Sequence, residues 1–511
     1  MLLATQGVED LAIVTSERKF SYSVVHEVCD GIEKLLDAQH VSSGIVVLSG
    51  PRSPEYVMSL ISTRRSQRTF FPAPYPTPEA WVEAMAGAAP IDLALVDLSR
   101  FGERWLRHWE PIASLNEVNE CLSGQWTVLR PKLIPQRERT ADKNPELAYV
   151  ICTSGSTGTP KVVEVGSSAF DKKISSLLAQ WPSPQGKVWL NWHHYSFDVA
   201  LWEVFGCFES GGTLAICDDV TVLSDELPEF IENVEPNYVC LTPTAWRALK
   251  SCHACWNSVE RLILAGESVH AQEVLEWVRG LGCSSSSMSI WNAYGPTEAI
   301  IYATSARIWP EGDVTLNGPN IGWPLPGVQV RVNTTEVTDK QGTLILGGHE
   351  IAERYGEWLF PLSVGDRQRF FSEHGVRLFE TGDVVRKLRD MSLVFLGRRD
   401  RQVKLEGVRI ELDAIEAIAC RNETVLGAHA TVAQETGGRK GIVLAIVCRQ
   451  ENEDRNRELA IDVRNTLQHT FPSPFLPVII EVLPELTLRP SGKLDTSAAR
   501  RRFESKGWIP S

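Results

Sequence analysis

Residues 149–161 read Tyr-Val-Ile-Cys-Thr-Ser-Gly-Ser-Thr-Gly-Thr-Pro-Lys. An apolar, strand-like run stops at Cys152, and every residue from Thr153 to Thr159 is Thr, Ser or Gly. Hydroxyls and unencumbered backbone N–H groups at the end of a strand form a cradle for phosphate oxygens. The pattern is not the common P-loop, which needs Gly-Lys followed by Ser or Thr. Here Pro160 precedes Lys161 and Val162 follows it.

Four further motifs follow in order. Residues 292–298 read Asn-Ala-Tyr-Gly-Pro-Thr-Glu and residues 379–383 read Phe-Glu-Thr-Gly-Asp. Gly397-Arg398-Arg399-Asp400 leads through Gln402-Val403-Lys404 to Gly407-Val408-Arg409-Ile410-Glu411-Leu412, and Pro490-Ser491-Gly492-Lys493-Leu494-Asp495 comes last. Together with the loop they resemble the adenylate-forming superfamily: acyl- and aryl-CoA ligases, luciferases and the adenylation domains of nonribosomal peptide synthetases.

The resemblance implies an ATP-dependent, AMP-forming ligase that uses Mg²⁺. A carboxylate attacks the α-phosphorus of ATP and pyrophosphate leaves, so two anions must be neutralised and aligned. Thr153, Ser154, Gly155, Ser156, Thr157 and Gly158, with Lys161, suit the β- and γ-phosphates. Thr297 suits the α-phosphate, and Glu298 suits Mg²⁺, which takes one or two carboxylates alongside phosphate oxygens. Tyr294 offers a flat face to adenine and Asn292 its amide edge. Ala293, Gly295, Gly266 and Glu267 fall in the same nucleotide set. Asp383 can accept from the ribose diol, with Arg398 as a second contact. Lys493 is the expected transition-state cation, reaching in from a C-terminal lid.

The segment Tyr195-Ser196-Phe197-Asp198-Val199-Ala200-Leu201-Trp202-Glu203 resembles the amino-acid-activating members, in which the Asp meets the substrate's α-ammonium. A buried carboxylate needs a partner, and no fatty or aryl acid supplies an ammonium. The family's specificity positions carry over to Asp198, Val199, Trp202, Cys240, Ile263, Ala265, Ala293, Ile301, Tyr302 and Lys493. Between Asp198 and Lys493 the lining carries no charge, which makes Asp, Glu, Lys and Arg poor candidates. The set resembles phenylalanine-type pockets, so an apolar or aromatic α-amino acid is expected. Tyr302 departs from that set and leaves tryptophan, tyrosine or a medium aliphatic side chain open. His193-His194 followed by Asp198 imitates a condensation-domain motif, but Val199 stands where that motif has Gly.

Apolar runs at Gly44–Ser49, Asp92–Val96, Ala148–Cys152, Lys187–Asn191, Thr213–Cys217, Tyr238–Leu241 and Arg261–Ala265 predict the strands that position these residues. Helical patterns such as Ser168–Gln180 and Ala271–Gly280 lie between them. The alternation predicts an α/β fold of mainly parallel sheets flanked by helices. Residues 324–397 shift to short strands with Gly-rich turns. The charged stretch after Gly397 suits a hinge before a small α+β unit, and the resemblance implies the same division, a core over 1–398 and a small mobile α+β lid over 399–511. Three departures from the family stand out: no Gly in the stretch from Arg64, Arg354 in place of Gly, and Ala200 in place of Ser.

The chain has 511 residues and a formal net charge of −13, which argues against nucleic acid or anionic membranes as partners. No basic stretch precedes an apolar one at the N-terminus, and no apolar run reaches membrane-spanning length. The 11 cysteines show no framework spacing, so a reducing cytoplasm is expected. Cys252-His253-Ala254-Cys255 has no second pair at finger spacing and reads as structural cysteines. Few residues follow Asp495, and Leu346-Gly347-Gly348 lacks the Ser that would hold a phosphopantetheine arm. A free-standing enzyme is expected, with Gly407 on the lid loop for thioester formation with a separate carrier protein. An acyl- or aryl-CoA ligase, or an amide-forming adenylating ligase, is the alternative.

Overall fold

The computed structural model describes residues 9–39, 44–132, 146–153, 160–281, 288–310, 319–334, 341–399, 401–405, 408–435, 438–448, 453–471, 475–483 and 497–510. Two large sheets dominate. In the larger, of 14 strands, Leu11–Val14, Thr213–Ile216, Val188–Asn191, Tyr238–Leu241, Arg261–Ala265 and Ser289–Tyr294 run parallel as neighbours. The sheet then changes sense. Ser289–Tyr294 is antiparallel to Thr304–Trp309, and Asn320–Pro324, Leu393–Arg398, Val376–Lys387, Gln341–Gly348 and Val328–Asn333 continue antiparallel. The short-stranded region of the sequence is thus the far half of one continuous sheet.

The second sheet has eight strands, with Thr69–Pro72, Ile45–Ser49 and Ile91–Asp97 parallel at its centre. Leu147–Thr153 ends where the phosphate-type loop begins. Lys161–Gly166 returns antiparallel beside it, with Thr153 opposite Lys161. Helices Tyr22–Asp37, Pro54–Arg65, Ser167–Gln180 and Asp198–Glu209 supply the apolar surfaces between the sheets. Asp198–Glu209 shows why: Ala200 through Phe208 are all buried, the signature of a helix enclosed on every side. Ala200, in place of the family's Ser, sits in this packing without exposure.

The other departures also have physical readings. The helix Pro54–Arg65 is closed by Gln67 at φ +56, with the Arg68 N–H donating to Thr63 O and the Gln67 N–H to Arg64 O. Gln here holds the left-handed position that Gly would take more cheaply. Arg354 lies on the edge strand Arg354–Gly356, where its Nε stands 2.9 Å from the buried Glu164 carboxylate.

Beyond Arg401 a two-stranded ribbon, Gln402–Leu405 with Val408–Glu411, precedes a four-stranded sheet. That sheet, of Ile479–Leu483, Lys440–Cys448, Val425–Glu435 and Trp508–Pro510, packs against helices Leu412–Ala419, Glu453–Thr470 and Ser497–Ser505. The buried members of its apolar clusters are residues 408–508, with Phe197 packed against them, while those of the large sheets are residues 12–393.

At the join of the two halves of the large sheet, Gly322 has φ +77, and a Cβ there would stand 1.9 Å from Ser305 O. Gly322→Ala combines a left-handed backbone with a backbone clash. It is expected to destabilise the protein by on the order of 3 kcal/mol, read by denaturant unfolding.

Candidate active site

The carboxyl ends of the parallel strands lie along one edge of the larger sheet, the usual side for a ligand in an open α/β sheet. Strand register assembles its wall: Cys240 lies opposite Ile263, and Ala265 opposite Ala293. The strand Ser289–Tyr294 hands the chain to a short turn carrying Thr297 and Glu298, before Thr304–Trp309 runs back. Gly295 makes this possible, because a Cβ there would lie 2.3 Å from Ile301 O.

Asp198 opens the helix Asp198–Glu209, where the positive end of the helix dipole favours an anion. It is 9% exposed, and its Oδ2 accepts from the Ile301 N–H at 3.1 Å. No cation stands within ion-pair distance of it among the described residues. Burial pushes its carboxyl up to about 6, and the nearby Glu298 charge adds to this. The Ile301 and Val199 N–H groups and the Lys404 ammonium pull the other way. Glu203, one turn on, is the helix's second buried carboxylate. It accepts from Asn191 Nδ2 and from the Trp192 and His193 N–H groups, and so fixes the approach to Asp198. His193 is paired with Glu203 and His194 with Ser196, so neither histidine meets Asp198.

Trp202 and Tyr302 are fully buried, and the Trp181 ring stands edge-on to Tyr302 at 5.7 Å. The Tyr302 hydroxyl and the Trp202 indole N–H are buried near Cys240 without a hydrogen-bond partner among the described residues. Burial pushes the Cys240 thiol well above its usual range. Val199, Ile263, Ala265, Ala293 and Ile301 complete the apolar wall.

Among the residues expected to meet the nucleotide, Asp383 is held at both oxygens, by the Tyr294 hydroxyl and by Arg398. Arg398 also donates to Thr381 O at 3.1 Å. Asn292 gives its Nδ2 to Asn320 O at 2.6 Å, leaving its carbonyl as the acceptor. Gly266 takes φ +89, and Glu267 accepts from the Thr244 N–H and hydroxyl. Glu298 is buried and receives the Tyr355 hydroxyl. Lys161 is buried 3.1 Å from Asp366 and 3.8 Å from Glu411. Lys404 Nζ stands 5.9 Å from the centre of the Tyr294 ring. Ser154, Gly155, Ser156, Thr157, Gly158, Gly407 and Lys493 lie outside the described residues.

Two groups fit ATP and its metal. Thr153 Oγ1 is buried without a hydrogen-bond partner among the described residues, at the mouth of the loop, and suits a phosphate oxygen. Glu298 is the buried carboxylate that one divalent cation would take, and a bound Mg²⁺ would neutralise phosphate charge there.

Sequence reasoning missed Tyr355, Lys404, Glu203 and Lys173. Lys404 and Glu203 stood inside the quoted motifs without a role, and Lys173 left a different signal: it shares a helical face with Ala169, Phe170, Ile174 and Leu177, where a lysine needs a reason. Cys252 and Cys255 bring their sulfurs within 2.6 Å, with Glu232 3.4 Å from Cys252.

Residues 3–356 match the AMP-binding enzyme family. Nonribosomal peptide synthetase 2 of Cochliobolus heterostrophus is 29% identical over 96% of this chain, which spans only 9% of that protein. Syringomycin synthase SyrB1 of Pseudomonas syringae pv. syringae is 26% identical over 96% of this chain and 79% of its own length. Among solved structures, the Vibrio cholerae adenylation domain AlmE, in complex with glycyl-adenosine-5'-phosphate, superposes with TM-score 0.78. It covers 98% of this chain and 95% of its own at 19% identity. The o-succinylbenzoate CoA synthetase of Bacillus subtilis reaches 0.76 over 98% of this chain and 97% of its own at 15% identity. At these identities the structures establish the fold.

The raised Asp198 pKa has a signed consequence. A carboxylate whose folded pKa lies above its ordinary value near 3.8 leaves stability intact below about pH 4 and drains it as pH rises through 6. Asp198→Asn is therefore expected to stabilise the ligand-free protein at pH 8 by on the order of 2–3 kcal/mol. At pH 4 the gain is expected to vanish, as read by urea unfolding at both values.

Proposed function

The chain belongs to the AMP-binding enzyme family, and from that premise we propose that it activates an apolar or aromatic α-amino acid as aminoacyl-AMP and passes it to the phosphopantetheine thiol of a separate carrier protein. The observation that carries the amino-acid reading is Asp198. A buried carboxylate supported, among the described residues, by backbone N–H groups and a helix terminus is a receptor for a cation. A substrate α-ammonium supplies that cation and is the feature a fatty or aryl acid lacks.

In the first step an oxygen of the substrate carboxylate bonds to the α-phosphorus of ATP, and the bond to pyrophosphate breaks. The loop from Thr153 and Lys161 would hold the β- and γ-phosphates, Thr297 the α-phosphate, and Glu298 the Mg²⁺. Tyr294 and Asn292 would receive adenine, and the Asp383–Arg398 pair the ribose. Lys493 would stand between the carboxylate and the phosphate oxygens, offsetting charge as the two anions meet. In the second step the carrier thiolate attacks the acyl carbon and AMP leaves, with the thiol proton passing to solvent.

We divide the chain into a core over 1–398 and a lid over 399–511. Separate apolar clusters support this division. The lid's approach to the crevice supports its catalytic part: Phe197, next to Asp198, packs on the lid cluster, and Glu411 and Lys404 reach Lys161 and Tyr294. Within the amino-acid range, Tyr302 favours the compact end. Its ring and Trp181 fill the space beyond Cys240, which suits a medium apolar side chain better than an indole.

The test is ATP–pyrophosphate exchange across L- and D-amino acids, with aryl and fatty acids alongside. A signal for one apolar or aromatic amino acid is expected, falling at least about a hundredfold in Lys493→Ala. Tyr302→Ala is expected to move the preference toward larger side chains. Exchange confined to acids without an α-amino group would overturn the proposal and point to a CoA ligase.

A further inference from the structure

The turn that serves Asp198 is strained and needs an anchor. Ile300 and Ile301 take φ +53 and +68, the left-handed region that β-branched residues avoid. Such a backbone persists only where its surroundings over-determine it. Local bonds supply part of the restraint. The Ile300 N–H donates to Thr297 O, the Tyr302 N–H to Ile300 O, and the Ala303 N–H to Tyr294 O. Among the described residues, one side-chain ammonium completes it. Lys173, 0% exposed on helix Ser167–Gln180, donates to Tyr302 O at 2.8 Å and pairs with Glu350 at 2.7 Å. Glu350 is itself buried and tucked against Gly327, where a Cβ would lie 2.6 Å from its carboxylate.

Lys173 acts on Asp198 at one remove, through the backbone of the turn. It grips the carbonyl one residue after the Ile301 N–H that Asp198 uses, on the residue whose ring closes the side-chain subsite. Burial pushes its ammonium below the usual lysine range, with Glu350 opposing that shift, so the pair works as a unit. A lone buried ammonium would not hold its charge, and a lone Glu350 would repel its surroundings.

We infer that the buried Lys173–Glu350 pair is a positioning device for amino-acid recognition, locking the Ile300–Tyr302 turn so that the Ile301 N–H orients Asp198 toward the substrate ammonium. This rests on the amino-acid reading of Asp198. Loss of the anchor lets the turn relax toward unstrained backbone, withdrawing the N–H and displacing Tyr302. The contacts of Asp383 and Arg398 lie on other strands and do not pass through the pair, so ATP binding is expected to change far less than amino-acid binding.

The experiment measures KM by pyrophosphate exchange for the preferred amino acid, its des-amino analogue and ATP, in wild type, Lys173→Met and Glu350→Gln. Lys173→Met is expected to raise the amino-acid KM tenfold or more, with the ATP KM within twofold. Its preference for the amino acid over the des-amino analogue is expected to shrink at least tenfold. Glu350→Gln keeps the bond to Tyr302 O and is expected to shift the same way by a smaller factor; it carries the test if Lys173→Met does not fold. Amino-acid and ATP KM values rising in parallel, or both acids losing equally, would reduce the pair to ordinary packing and overturn the inference. A wild type that itself fails to distinguish the two acids would instead sink the amino-acid reading, before any variant is compared.

Discussion

A carboxylate buried at the head of an enclosed helix, with no cation in pairing distance among the described residues, sets the terms for this crevice. Asp198 is tolerable because the helix terminus and two backbone N–H groups share its charge, yet its pKa still rises to about 6. The charge is therefore stabilised incompletely. That deficit is what a substrate ammonium can make good, and it ties binding to the protonation state of one residue. The neighbouring Glu203 shows the contrast: three donors meet one of its oxygens and His193 the other.

The sheet topology explains why the reacting groups sit so close together. Ser289–Tyr294 is parallel to one neighbour and antiparallel to the other, so the chain must reverse directly after Tyr294. That reversal carries Thr297, Glu298, Ile301 and Tyr302 within a few residues. It is also where the backbone strain lies, and where Gly295 and Lys173 are needed. The residues proposed for the nucleotide, Thr297 and Glu298, and those proposed for the amino acid, Ile301 and Tyr302, thus share one strained turn. Lys404 and Glu411, from beyond Arg401, add charge beside Tyr294 and Lys161.

Much of this was legible in the residues. The strands Tyr238–Leu241 and Arg261–Ala265 have the ends their apolar runs predict, because buried parallel strands read as short continuous runs. Pairing register is non-local, so the sequence separated residues 324–397 into a region of their own, while the hydrogen bonds make them the far half of the main sheet. Substitutions were legible as departures but not in meaning. Gln67 holds a left-handed position with its backbone, and Arg354 meets Glu164 across an edge strand. Lys173 and Glu350 lie far apart in the chain, and neither belongs to a motif. Only the helical face shared with Phe170 and Ile174 hints that Lys173 faces inward.

The most direct measurement of the central claim is calorimetric binding of a non-hydrolysable aminoacyl-adenylate analogue and its des-amino counterpart, to wild type and Asp198→Asn at pH 8. If Asp198 is the ammonium receptor, wild type binds the amino form at least about a hundredfold more tightly, on the scale of a desolvated charge pair. Asp198→Asn then loses most of that difference. Equal affinities for the two analogues in wild type, or a preference that survives Asp198→Asn, would contradict the account.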